Sequence, residues 1–208
     1  MKNCEHKWEK QERTLKETGF SYYYYQCTDS KCSEVYYPMD QLQRLMEYSE
    51  EQQFMFLEDW IFALFYSLSD SPIVGRTSLQ KQIFLLMMEF AQEENIATEN
   101  IGFYGYKYGP YDDRITDAVD VMIEGSLISK NGRKNTDKER FILTAESIER
   151  AKESFDKLTA NQKDKLVELR KEYQMLGVDG LLNRVYTYYP EYTHNSKIRR
   201  SVLKLKKK

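Results

Sequence analysis

The chain has 208 residues, 41% of them hydrophobic and 31% charged, which suits one ordinary globular domain with a small appendage. Its longest apolar runs, Ile61 to Tyr66 and Ile83 to Met88, are too short to span a membrane, and the charged start MKNCEHKWEKQER has no secretory h-region. A net charge of −2 excludes a strongly basic nucleic-acid binder as the default, and three cysteines, an odd number, argue against a disulfide framework and for a cytoplasmic setting.

The first patterned segment is Cys4-Glu5-His6, separated by twenty residues from Cys27, with Cys32 beyond it, a C-x-H…C-x4-C arrangement. Thiolate and imidazole donors satisfy a tetrahedral d10 ion without redox change, so Cys4, His6, Cys27 and Cys32 are the candidate ligands of one zinc. Thr18-Gly19 signals a turn and Phe20 to Tyr25 a strand, and a hairpin would bring the two clusters together as in a zinc ribbon. With all four positions filled by protein, such a site is structural. Residues 1–37 are therefore read as a zinc-ribbon-like knuckle, and 38–56 as a connecting helix over Met39 to Gln53.

From Leu57 to Leu68 the chain is apolar on almost every side, including Trp60, Ile61, Phe62, Leu64 and Phe65, which predicts a buried helix. Ser69-Asp70-Ser71-Pro72 stops it. Thr77 with Gln80 has the form of a capping box before Leu79, Ile83, Phe84, Leu86, Met87 and Phe90, a stripe of core material. Phe103 to Tyr108 reads as a short strand, and Gly109-Pro110 as the turn into a helix. That helix buries Ile115, Ala118, Val119, Met122 and Ile123 by their spacing, opens on Asp112 and Asp113, and stops at Gly125. Leu127-Ile128 and Phe141-Ile142-Leu143 flank Asn131-Gly132 as a β-hairpin. Helices follow with Ile148, Ala151 and Phe155 in one stripe, then a Thr159/Gln162 capping box ahead of Leu166, Leu169, Tyr173 and Leu176, stopped by Gly177. Leu181, Leu182, Val185 and Tyr189 are expected to pack back onto the body. The predicted fold is α+β and mainly α: a winged-helix-like helical domain with a β-hairpin over 57–196, then a basic tail, 197–208.

The series TSLQKQIFLL, YKYGPYDDRITDAVDVMIEGSLI and FILT resembles the Panacea (SocA-like antitoxin) domain over roughly residues 57 to 150. Leu79, Gln80, Lys81, Ile83, Leu85, Tyr108, Gly109, Pro110, Tyr111, Ile115, Leu127, Ile128, Leu143 and Thr144 carry the resemblance, and YGPY is its most specific element. The chain departs from the pattern at Ser126, where the family usually has Gly or a similar small residue. The resemblance implies a helical domain that neutralises or escorts a partner protein, such as a toxin or defence effector, or delivers it to a protease.

The residues themselves weigh against a DNA-reading helix. From Tyr111 to Glu124 five acids, Asp112, Asp113, Asp117, Asp120 and Glu124, face one cation, Arg114. Pressed into a major groove they would meet like charge, and no Gln or Asn is present to read adenine. The acidic face is either simply solvated or a docking face for a basic protein, and the candidate partner surface is Tyr108, Tyr111, Asp113, Asp117 and Asp120. Reversing Asp117 and Asp120 together is expected to leave folding nearly intact. Weak backbone contacts to nucleic acid through Lys130, Arg133 and Lys134 of the wing and Arg199 and Arg200 of the tail make a DNA-binding regulator the alternative. No Walker loop, GxGxxG or nucleophile–base pair is present, so an enzyme is not expected.

Overall fold

The Tyr-rich run behaves as alternating strand. The computed structural model describes residues 5–14, 20–29, 32, 34–52, 54–133 and 138–198, with side chains described throughout except at 47–52. The expected turn at Thr18-Gly19 lies outside the described residues. β1 (Trp8–Thr14), β2 (Ser21–Cys27) and β3 (Val35–Tyr36) form an antiparallel meander in the order β1-β2-β3. Period-two alternation turns Tyr22 and Tyr24 inward, where they pack with Leu45 and Phe54. This cluster seats the meander on the connecting helix α1 (Met39–Gln52).

The rest of the chain is helix-dominant with short strands. α2 (Leu57–Tyr66) is apolar all round and buries Leu57 and Trp60 through Phe65. Its start is held by Asp59, which accepts from the Phe56 amide at 3.0 Å, from Ser154 Oγ at 2.9 Å and from Lys157 Nζ at 2.8 Å. β4 (Ile73–Val74) leads into α3 (Arg76–Leu85), which runs on through a π-helical stretch, Leu86–Phe90, and the short α4 (Ala91–Glu93). α3 lies between two apolar clusters. Leu79, Ile83 and Leu86 join α2 and the hairpin, and Phe84 and Leu85 join the C-terminal helix. The Thr77/Gln80 capping box does not form: α3 begins at Arg76, behind Gly75 at φ 80, without a side-chain cap. Gln80 is used elsewhere.

β5 (Tyr104–Tyr106) and β6 (Gly109–Tyr111) form a hairpin, so Gly109-Pro110 belongs to a strand and not to the helix entry. Gly109 has φ 88, and a Cβ there would stand 3.2 Å from the Tyr186 ring, so both backbone and space call for glycine. α5 (Asp113–Glu124) follows, capped by Asp112, whose carboxylate accepts from Arg114 N at 2.8 Å. After Gly125 it is Ser126 that turns left-handed, at φ 59. A left-handed residue there is the conformation that glycine adopts at no cost, so Ser126 carries a mild strain. β7 (Ile128–Asn131) and β8 (Arg140–Leu143) make the second hairpin, and β4 joins it in a three-stranded antiparallel sheet ordered β4-β8-β7.

α6 (Ile148–Asp156) packs Ala151 and Phe155 into the main core beside α2. α7 (Ala160–Tyr188) starts on the Thr159/Gln162 capping box and bends at Gly177, which takes φ 58 and ψ −171 inside one element rather than ending it. Leu181, Leu182, Val185 and Tyr189 pack with Phe84, as expected. A final 3₁₀ turn, Pro190–Thr193, sets Tyr192 edge-on to Phe84 at 5.2 Å. No helix among the described residues is long and apolar enough to cross a membrane.

One ion triad ties α3 and α5 to the residue preceding β8. Arg76 Nη2 reaches Asp120 at 2.6 Å and its Nε reaches the fully buried Glu139 at 3.3 Å. Asp120 is thus a structural charge, which overturns the expectation that reversing it costs nothing. Asp120→Lys should destabilise the fold by about 2 kcal/mol, because it leaves a largely buried guanidinium facing a like charge. The exposed Asp117→Lys should stay within about 0.5 kcal/mol. Denaturant unfolding of the two single variants checks the difference.

Candidate functional site

Pairing of Trp8 with Cys27 brings the start of β1 alongside the end of β2. The returning turn is closed by Cys32 N donating to Asp29 O at 2.9 Å and Cys27 N donating to Glu34 O at 3.0 Å. One donor atom from each of His6, Cys27 and Cys32 lies within 4.8 Å of the others. His6 Nδ1 stands 3.5 Å from Cys32 Sγ, and its ring stacks on Trp8 at 5.0 Å. Zn–S bonds of about 2.3 Å and Zn–N bonds of about 2.0 Å place tetrahedral donors about 3.5 Å apart, so these three residues fit a metal ion. Cys4, the expected fourth ligand, lies outside the described residues.

A second arrangement is a polar clamp inside the body. Gln80 is buried on α3, where its Nε2 donates to Asp112 O at 2.8 Å and to Thr116 Oγ1 at 3.1 Å, while its Oε1 accepts from Asp112 N at 3.3 Å. Lys81, 2% exposed, donates through Nζ to Pro110 O at 2.6 Å. The Gln-Lys pair of α3 thus holds the backbone of Pro110 to Asp112, which fixes where α5 begins. On the other side of that start, Arg114 pairs with Glu99 at 3.1 Å and donates to Asn100 O at 3.0 Å. Asn100 Nδ2 in turn donates to Tyr24 OH at 2.8 Å, linking α5 to the N-terminal meander. Burial pushes the Glu99 and Asp112 carboxyls upward, and Arg114 opposes the shift in both.

These contacts distribute the candidate partner residues over different surfaces. Tyr108 is exposed at the β5–β6 turn, and Tyr111 is half-buried with its hydroxyl 3.0 Å from Thr116 Oγ1. Both line a cleft against α3 and α7. Asp113 accepts from Tyr104 OH at 3.0 Å, and Asp120 is taken up by Arg76. Asp117 alone of the five opens onto a groove of about 1040 Å³ between α1 and α5. Met39, Leu42, Met46, Phe56 and Val121 give that groove an apolar lining, with five carboxylates and two cations around it. Met39, Met46 and Val121 are 77%, 58% and 65% exposed, so the lining is open to an occupant. Lys130 lies on β7 and Arg133 just beyond it; Lys134, Arg199 and Arg200 fall outside the described residues.

The groove residues escaped the sequence reading. Met39, Leu42 and Met46 recur at i, i+3 and i+7 on a helix taken for a polar connector, and Val121 stands apart from the buried stripe of α5. That spacing was the available signal. Compared with protein families, curated proteins and solved structures, the chain matches none of them.

Two outcomes test these arrangements. Purified protein should carry about one zinc per chain by elemental analysis, with loss of the metal in Cys27→Ser; metal-free wild-type protein with an unchanged melt would refute the site. The clamp makes a pH prediction. Burial lowers the Lys81 ammonium to about 7, against ~10.4 for an exposed lysine. Between about pH 7 and 10 the unfolded chain therefore binds the extra proton, and the Lys81 contribution to stability rises with pH by about 1.4 kcal/mol per unit. It is lowest below pH 7, where both states are protonated. Wild-type stability measured relative to Lys81→Met should climb from pH 7 to 9, and parallel profiles would contradict it.

Proposed function

We propose that this chain is a non-enzymatic protein-binding module of the antitoxin or adaptor type, Panacea-like in its helical body and carrying a structural zinc in its N-terminal ribbon. In this reading it neutralises or escorts a partner protein, a toxin or defence effector, through a basic amphipathic segment of that partner. The observation that carries the proposal is the groove between α1 and α5, lined by exposed methionines and valine and rimmed by carboxylates. Methionine side chains are flexible and polarizable and adapt to varied apolar surfaces, and an amphipathic helix in a groove is a recurring recognition mode. The acids supply long-range attraction for lysines and arginines on the partner's polar face.

A second reading, a DNA-binding regulator, is supported by the order of α2, β4, α3, α5, β7 and β8, which resembles a winged helix interrupted by α4 and the β5–β6 hairpin. Lys130 and Arg133 would then touch backbone phosphates. Asp113 and Asp117, exposed on α5, oppose insertion of that helix into a groove of DNA.

A labelled synthetic helix of leucine and lysine tests the first reading. It should bind the full chain with an affinity that falls as salt rises, while a leucine–glutamate counterpart does not bind. The double variant Met46→Lys, Asp117→Lys should weaken the lysine peptide at least about tenfold, or ~1.4 kcal/mol. Equal binding by the double variant would move the partner site off this groove. Tight binding of duplex DNA by the same protein would favour the second reading.

A further inference from the structure

The cleft on the other side of the α5 start has the opposite character. It encloses about 830 Å³ between α3, the β5–β6 hairpin and α7. Arg76, Lys81, Lys107, Arg170 and Lys197 line it, and no carboxylate does among the described residues. Arg76 is already committed to Asp120 and Glu139. Lys81 and Arg170 are different: they are 2% and 1% exposed, and neither has an ion-pair partner among the described residues. Lys81 makes its one hydrogen bond to Pro110 O, and Arg170 makes one through Nη2 to Ser71 O at 3.2 Å. Arg170 Nε is buried with nothing to donate to. Buried charges are ordinarily paired, since an unanswered cation loses its hydration without recompense. Arg170, its Nε unmatched, keeps its charge near neutral pH, and Lys81 beside it is lowered only to about 7, so an anion entering the cavity would answer both.

The rest of the lining narrows the class. A cavity of this size takes a ligand far larger than a bare oxyanion. Tyr106 and Tyr108 stand at the hairpin with 39% and 44% of their surface open; Lys107 Nζ lies over the Tyr106 ring at 4.9 Å, a flexible cover that a planar group can displace, and Tyr108 adds a second aromatic surface. Gln82 Oε1, buried in the same lining without a partner, is an acceptor that a sugar hydroxyl can satisfy. We propose that this cleft binds a mononucleotide, its phosphate dianion answering Lys81 and Arg170 and its base resting against Tyr106 and Tyr108. The site is separate from the α1–α5 groove and does not depend on the function proposed for that groove.

Calorimetric titration of the full chain with AMP, adenosine and inorganic phosphate at fixed ionic strength tests the assignment. AMP should bind, phosphate should bind more weakly and compete with it, and adenosine should give no heat. Arg170→Gln should reduce AMP affinity at least tenfold, with Arg170→Lys retaining part of it. A thermal melt of each variant confirms that it is folded. The exposed Tyr108→Ala does not burden folding; it should weaken AMP severalfold and leave phosphate unchanged, which keeps the test alive if the Arg170 variants unfold. Absence of heat with AMP, GMP, CMP and UMP alike would overturn the proposal. So would an AMP affinity that neither Arg170→Gln nor Tyr108→Ala alters, or binding of citrate with no nucleotide binding.

Discussion

A buried amide and a buried ammonium on α3 must each find a hydrogen-bond partner, and much else in this molecule depends on how they do. Gln80 and Lys81 sit buried on a helix packed between two apolar clusters, at the floor of the cleft between α3 and α7. Their partners are the backbone groups of Pro110 and Asp112. Leaving either side chain unmatched would cost a full desolvation penalty, so residues 110–112 are held where the α3 side chains require. That constraint places the β5–β6 hairpin and sets Asp112 as the cap of α5. It also orients α5, so that Arg114, Asp117, Ala118 and Val121 face α1 while Thr116 faces the α3 side.

Charge is then segregated around one helix. A net charge of −2 conceals a carboxylate-rimmed groove on one side of α5 and, on another, a cation-lined cleft with no carboxylate among the described residues. In the proposed readings the two surfaces take opposite chemistries, a basic protein segment and an anionic ligand. Between them the Arg76 triad neutralises Asp120, so the acidity of α5 expressed at the groove is carried by Asp117 with carboxylates from neighbouring elements. The helix dipole adds to the role of Asp112, whose carboxylate answers a free amide in the first turn of α5, that of Arg114.

What the sequence made legible was local or periodic. His6, Cys27 and Cys32 could be read as part of a ligand set because their side chains have a narrow chemistry, and the pairing of β1 with β2 brings them together. The all-apolar α2 and the Thr159/Gln162 cap were legible for the same kind of reason. The misread features depend on distant partners. Thr77 and Gln80 have capping-box spacing, yet Gln80 is claimed by Asp112, 32 positions on. Nothing local in the sequence marks Lys81 as buried; its partner, Pro110 O, lies 29 positions on. Asp120 resembles its neighbour Asp117 in sequence, and only Arg76, 44 positions earlier, separates a structural acid from a surface one. The groove itself is formed by two helices whose apolar positions, read singly, look like isolated exposed residues.

Hydrogen–deuterium exchange of the full chain, with and without the basic leucine–lysine helix, tests the docking assignment most directly. Occupation of the groove should slow exchange in residues 39–46 and 114–121 together, since only those two segments of α1 and α5 face each other across it. Protection confined to the meander, to residues 128–143 or to residues 186–192, with α1 and α5 unchanged, would contradict the assignment and place the partner surface elsewhere.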